Sequence, residues 1–295
     1  MTMEFTPIDL ADQTSYQARL ARCPMITSDY SFLNLWAWGP AYGLEWAWTD
    51  NVVWLRQSRP SPVFWAPVGD WEMVDWEKFF KQFPLLKSDI IRVPEALAHF
   101  WKKIFADGML ISEDRNQFDY MYKAEELIHL KGNRYHKKKN LVRQFERLYN
   151  YEYMPMTPDL VDKAKALQKE WCVWRNCDSD EQLAAENKAI ARVLAQWEKL
   201  PGVMGGCLLV DGQMAAYTIG EQISADTLIV HFEKGGADFK GVYQVINQKF
   251  LNHAAQNIDW VNREQDLGDE GLRKSKESYH PALFLKKFRV GFCGR

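Results

Sequence analysis

Apolar residues recur along this chain in two rhythms, and the switches between them mark its elements. Leu44-Glu45-Trp46-Ala47-Trp48, Thr49-Asp50-Asn51 and Val52-Val53-Trp54-Leu55 read as a β-hairpin, with Trp46 and Trp48 on one face. A further strand is expected near Val63-Phe64-Trp65, a helix over Asp75–Phe83 with Phe79 and Phe80 inward, and a short strand at Ile90–Val93. Leu97, Trp101, Ile104 and Phe105 mark one helix face, ended by Gly108, and Phe118–Tyr122 alternates as a strand. Arg134–Tyr149 is amphipathic. Tyr135, Leu141, Val142, Phe145, Leu148 and Tyr149 fall on one arc, and Lys139, Arg143 and Arg147 on the other.

After the strand Tyr151–Tyr153 the second half predicts two helices, about Asp159–Trp174 and Glu181–Leu200. A hairpin follows, Cys207–Val210 and Met214–Ile219 turning at Asp211-Gly212. Next come an apolar strand Thr227–Glu233, the loop Lys234–Gly241, and a helix carrying Val242, Ile246, Phe250 and Ala254. A strand at Ile258–Val261 precedes a helix around Leu272–Tyr279. That helix must stop before Pro281, since a residue ahead of proline is disfavoured in the α region; the last strand starts at Leu283. These elements predict a mixed α/β protein of two domains, 1–150 and 151–295, with the Arg134–Tyr149 helix as the bridge.

Composition narrows the class. The 295 residues are 47% hydrophobic and 26% charged, with a net charge of -2, so a polyanion site must be a local patch. Eight of the 13 Trp lie between Trp36 and Trp76, which suits core packing. Five cysteines without zinc-ligand spacing are expected to be reduced and mostly buried, and no metal site is expected. No leader pattern and no run of about 18 apolar residues is visible, so a cytoplasmic location is expected.

Three stretches carry candidate chemistry. His231 and Glu233 alternate on the strand before the Lys234–Gly241 loop. They are either a general base for a substrate amine or a pair that holds the strand edge. The loop, with Lys234, Gly235, Gly236, Lys240 and Gly241, and Tyr243 just after it, is either an anion cradle at a helix N-terminus or an ordinary turn. The acyl-CoA pattern Gln/Arg-x-x-Gly-x-Gly/Ala is only approached, by Lys240-Gly241, without the second glycine. The charge-dense run from Asn262 to Pro281 is either a solvated loop and helix or a binding segment following a central strand, with Asn262, Glu264, Asp266, Arg273 and Lys276 as candidate binding groups. Arg273 and Lys276 are spaced to face one phosphate, and Tyr279 is a candidate proton donor. Lys131–Arg147 holds seven basic residues and one acid. Lys139, Arg143 and Arg147 form either a solvated face or a stripe for tRNA phosphates. No Ser-His-Asp signature, Walker loop or dinucleotide fingerprint is present.

The stretch Leu130-Lys131-Gly132-Asn133-Arg134-Tyr135-His136-Lys137-Lys138-Lys139-Asn140, the run Gly271-Leu272-Arg273-Lys274-Ser275-Lys276-Glu277-Ser278-Tyr279-His280-Pro281, and Ser31–Trp38 resemble a bacterial family related to the C-terminal domain of phosphatidylglycerol lysyltransferase. The resemblance implies two tandem GNAT-like domains, similar to Fem-type aminoacyl-tRNA-dependent transferases. In such folds the central strand splays from the next one, and the following loop faces the cofactor. The family implies transfer of an aminoacyl group from aminoacyl-tRNA to a lipid headgroup or peptide. An acyl-CoA-dependent N-acyltransferase and a non-enzymatic RNA-binding module on the same fold are the alternatives.

Overall fold

The computed structural model describes residues 3–84 and 88–292; Cys293 lies outside them. In chain order the elements are β1 (Thr6–Pro7), α1 (Gln13–Leu20), α2 (Phe32–Tyr42), β2 (Glu45–Trp48), β3 (Val52–Gln57), β4 (Val63–Gly69), α3 (Trp76–Gln82), β5 (Ile90–Pro94), α4 (Glu95–Phe105) and β6 (Met109–Glu113). There follow β7 (Asp119–Lys123), α5 (Ala124–His129), α6 (His136–Leu148), β8 (Tyr151–Pro155), α7 (Pro158–Arg175), α8 (Glu181–Ala195), β9 (Val203–Val210) and β10 (Gln213–Gln222). The chain ends with β11 (Thr227–Gly235), α9 (Val242–Ala254), β12 (Trp260–Asn262), α10 (Glu270–Glu277), β13 (Leu283–Leu285) and β14 (Lys287–Phe292). Two mixed seven-stranded sheets result, ordered β1-β2-β3-β4-β5-β14-β6 and β13-β7-β12-β11-β10-β9-β8.

The chain forms two compact units, but they do not divide near residue 150. One comprises residues 1–119, 265–270 and 284–295, and the other 120–264 and 271–283. The reason is long-range strand pairing. β14, at the chain's end, inserts between β5 and β6, while β7, from the first half of the sequence, pairs antiparallel with β12. The basic helix α6 is no bridge, because it packs on α9 inside the second unit. A Cβ on Gly241, the residue before α9, would meet the Leu141 carbonyl oxygen at 2.5 Å. With φ +90 as well, only glycine fits there without strain. Leu148, expected on the inward arc, is 59% exposed because it ends the helix.

The first unit is built on its aromatic residues. Trp46, Trp54, Trp71, Trp76 and Trp101 are almost fully buried; Trp76 meets Trp101 edge-on at 5.1 Å and Trp54 stacks on Phe79 at 5.7 Å. Such geometry suits the ring quadrupoles and adds to the area buried. The hairpin is as expected, with Glu45–Trp48 paired to Val53–Arg56. A buried charge network ties in the last strand. Lys287 Nζ donates to Asp119 Oδ1 at 2.7 Å and also to Asp29, which Arg92 binds too, while Ser28 N and Oγ donate to the two Asp119 oxygens. Two carboxylates facing two cations leave the network balanced, as burial of charge requires.

In the second unit α7 and α8 form an antiparallel pair over the sheet. Asn176, left-handed at φ +53, caps α7 and turns the chain back. That turn brings Cys177 within 5.1 Å (Cα–Cα) of Cys172, and the two form a disulfide. The expectation of reduced thiols is corrected for this pair; Cys23 and Cys207 are free and buried. Among the described residues no helix is long and apolar enough to cross a membrane.

Candidate functional site

β11 and β12 run parallel for three residue pairs, from Thr227–Trp260 to Ile229–Asn262. β11 then continues to Gly235, while the chain after Asn262 stays with β7. Arg263 N donates to Tyr120 O at 3.0 Å, and Tyr120 N to Glu264 O at 3.2 Å. The Asn262 side chain accepts from Glu264 N at 2.8 Å, and Glu264 turns the chain at φ +57. The two strands therefore part, and polar side chains fill the gap.

His231 enters the gap through a bulge. The β10–β11 register passes from Ile219–Phe232 to Gly220–Val230, leaving His231 without an opposing residue. A bulge re-aims side chains, so the simple alternation that would set His231 beside Glu233 is broken. His231 lies fully buried between two carboxylates, Nδ1 at 2.7 Å from Glu264 and Nε2 at 3.1 Å from Glu221. Burial alone would lower its pKa, but the hydrogen bonds and charges of Glu221 and Glu264 prevail and raise it to about 9. At neutral pH the imidazolium donates from both nitrogens and has no lone pair to accept a proton. That arrangement favours the strand-holding reading of His231 over the general-base reading.

Glu233 has different partners. Its carboxylate accepts from Arg263 Nη2 at 3.2 Å and from Asn247 Nδ2 on α9 at 3.1 Å. Burial raises its pKa, and Arg263, Asn247, Lys138 and Lys276 only partly offset that. A carboxylate held this way can take up a proton more readily than a solvated one. Arg263 also lies 4.9 Å from the centre of the Tyr279 ring, and Lys138 Nζ of α6 lies 4.0 Å from the same ring. Tyr279 is 4% exposed. Its phenol is pushed up to about 12 by burial, with Arg263 acting the other way. Lys138 is lowered to about 8, by burial first and then by the neighbouring Arg263.

Lys276 is buried, and its Nζ donates to the Arg263 carbonyl at 2.6 Å. It supports the Arg263 backbone, while Arg273 is half-buried. Asp266 belongs to the first unit, where it pairs with Arg115 at 3.2 Å and accepts from Gly268 N. Arg263, Lys138 and Asn247 were not singled out from the sequence. One signal was available for Lys138: with Tyr135, Val142 and Phe145 it completes a 3-4-3 spacing, the buried stripe of the helix.

The expected loop at Lys234–Gly241 begins inside the sheet, since Lys234 and Gly235 belong to β11, and its residues are engaged in packing. Lys234 is buried, paired with Glu186 at 2.6 Å and laid over the Trp171 ring at 3.7 Å. Tyr243 accepts from Trp171 Nε1 at 3.0 Å, and Gly236 N donates to Ala215 O at 2.8 Å. A Cβ on Gly235 would strike Val242 at 2.6 Å, so that glycine serves close packing, as Gly241 does; Lys240 is exposed. This is poor material for a phosphate cradle.

Lys139 and Arg143 of the basic stripe line a concavity of about 400 Å³ with His129, Lys249, Glu146 and Asn252. Glu146 is held by Lys249 at 3.4 Å and by Tyr151 at 3.1 Å, leaving the concavity mainly cationic. Arg147 is exposed and does not line it.

Comparison with known proteins places this geometry. A crystal structure of a conserved protein of unknown function from Bacteroides thetaiotaomicron is 32% identical, with a TM-score of 0.90 over 99% of this chain and 100% of that one. L-PGS from Bacillus licheniformis aligns with a TM-score of 0.64 at 12% identity, covering 96% of this chain and 93% of that one. FemX aligns with a TM-score of 0.61 at 9% identity, over 97% of each. At those identities the likeness shows the fold alone, here two mixed seven-stranded sheets. An uncharacterized protein of Mycoplasmoides gallisepticum is 22% identical over 197 residues, which cover 64% of this chain and 60% of that protein's length. The model of the family described as phosphatidylglycerol lysyltransferase, C-terminal, matches residues 21–291, and the chain belongs to that family.

Proposed function

We propose that this chain transfers an aminoacyl group from tRNA to an amine or hydroxyl acceptor in the gap between β11 and β12. The observation that carries the reading is Glu233: a largely covered carboxylate of raised pKa, fixed by Arg263 and Asn247 where two strands part. Glu233 takes the acceptor's proton as its nitrogen or oxygen bonds to the acyl carbon. The ester bond to the ribose oxygen then breaks, and that oxygen receives a proton from the Tyr279 hydroxyl, which is still protonated at neutral pH. Tyr279 is restored by the proton held on Glu233. Proximity supplies much of the rate, so no covalent enzyme intermediate is needed. The cationic concavity at Lys139 and Arg143, on the helix that also sends Lys138 to Tyr279, is the seat for the donor's phosphates. The acceptor is a lipid headgroup or a peptide amine. The packed loop at Lys234–Gly241 counts against acyl-CoA as donor.

The test supplies the protein with tRNA charged with labelled amino acids, or with labelled acyl-CoA, over a panel of phospholipid and peptide acceptors. Label moving from tRNA to an acceptor supports the reading. Transfer from acyl-CoA alone, or binding of tRNA with no transfer, contradicts it.

A further inference from the structure

Among the described residues, nothing satisfies one donor group of Arg263. Nη2 binds Glu233 and the side chain also meets Tyr279, yet Nη1 is covered and has no hydrogen-bond partner. Covered charged donors without an acceptor are costly, and native structures rarely keep one without a use. Arg263 and Lys138 both act on the carboxylate of Glu233. Lys138, half-buried on a long flexible stem, lies over Tyr279 on the same ring that Arg263 contacts.

We infer that Arg263 Nη1 and Lys138 Nζ together form a subsite for a phosphate group, with the Tyr279 ring as its floor. A tetrahedral oxyanion can accept from donors on two different elements at once, here β12's continuation and α6, as charge-assisted hydrogen bonds. Its arrival satisfies Nη1, while Lys138 swings to cover it. The inference rests on the transfer reading above, in which both substrates offer a phosphate: the donor through its terminal nucleotide, the acceptor through a lipid headgroup.

Binding of inorganic phosphate, adenosine 5′-monophosphate and glycerol 3-phosphate to the full chain is measured by calorimetry, without donor or acceptor. Arg263 is buried and its replacement endangers folding, so Lys138→Gln carries the test, with Arg263→Lys beside it and thermal melts confirming the fold. Wild type should bind inorganic phosphate one to one, and Lys138→Gln should weaken it roughly tenfold, about one charge-assisted contact. Tighter binding of the nucleotide assigns the subsite to the donor, and tighter binding of glycerol phosphate to the acceptor. Wild type that binds none of the three, or binds them as Lys138→Gln does, overturns the subsite. A chain that transfers label but binds no phosphate sinks the subsite alone, and one that binds phosphate but transfers nothing sinks the functional reading alone.

Discussion

Glu233 and Arg263 meet at 3.2 Å across the gap where β11 leaves β12, with the guanidinium between that carboxylate and the Tyr279 ring. Both side chains are largely withdrawn from solvent, 10% and 14% exposed, so each depends on the other. Removing one partner of such a pair leaves an uncompensated charge and costs about 3–5 kcal/mol. Arg263→Met should therefore destabilise the protein by that order, and the double variant Glu233→Gln/Arg263→Met by clearly less. Urea unfolding of both singles and the double closes the cycle. Additive losses would mean that the pair is not coupled.

His231 predicts a pH dependence of stability. Its folded pKa is raised from 6.5 to about 9, so its contribution is complete below about pH 6.5 and lost as pH rises through about 9. The shift corresponds to a contribution on the order of 3 kcal/mol. Wild type minus His231→Gln, compared by urea unfolding at pH 6 and pH 10, should show a stability difference that shrinks by about that amount. A difference that stays flat with pH would mean that His231 is neutral in the fold.

Gly241→Ala should destabilise through two independent effects. A left-handed conformation costs an alanine about 1–2 kcal/mol, and overpacking against the Leu141 backbone about 1–3 kcal/mol more. A lowered melting temperature is the expected result. Unchanged stability would show that α6 moves away from α9 at little cost.

The basic stripe is now divisible. Lys139 and Arg143 line the concavity, and Arg147 does not. Replacing both lining residues by Ala should flatten the log–log salt dependence of tRNA binding by about one to two, and Arg147→Ala by little. Equal effects at all three positions would return the stripe to a diffuse electrostatic face.

Much of this was legible in the sequence, where local rules decide. The Trp46–Trp48 alternation, the Asp211-Gly212 turn and the periodicity of α6 gave elements that the structure contains. The domain boundary was not legible, because it is set by β14 and β7 pairing with strands more than a hundred residues away. His231 misled because alternation assumes an unbroken ladder, and nothing in the residues announces the bulge. Arg263 was hidden inside a charged run that reads as solvated. Its position two residues after Val261, at the end of the Ile258–Val261 strand, was the clue to its burial. Lys138 was lost among Lys137 and Lys139, and only helical phase separates it from them.

The most direct test of Glu233 as the proton acceptor is the pH dependence of kcat/KM for transfer from aminoacyl-tRNA, in wild type and Glu233→Gln. Burial raises the Glu233 pKa, so wild-type activity should rise with pH along an acid limb lying above the ordinary carboxylate range. Glu233→Gln should lose that limb, with a rate lower by about 10²–10⁴-fold. An acid limb that survives in Glu233→Gln, or a variant as active as wild type, would contradict the assignment.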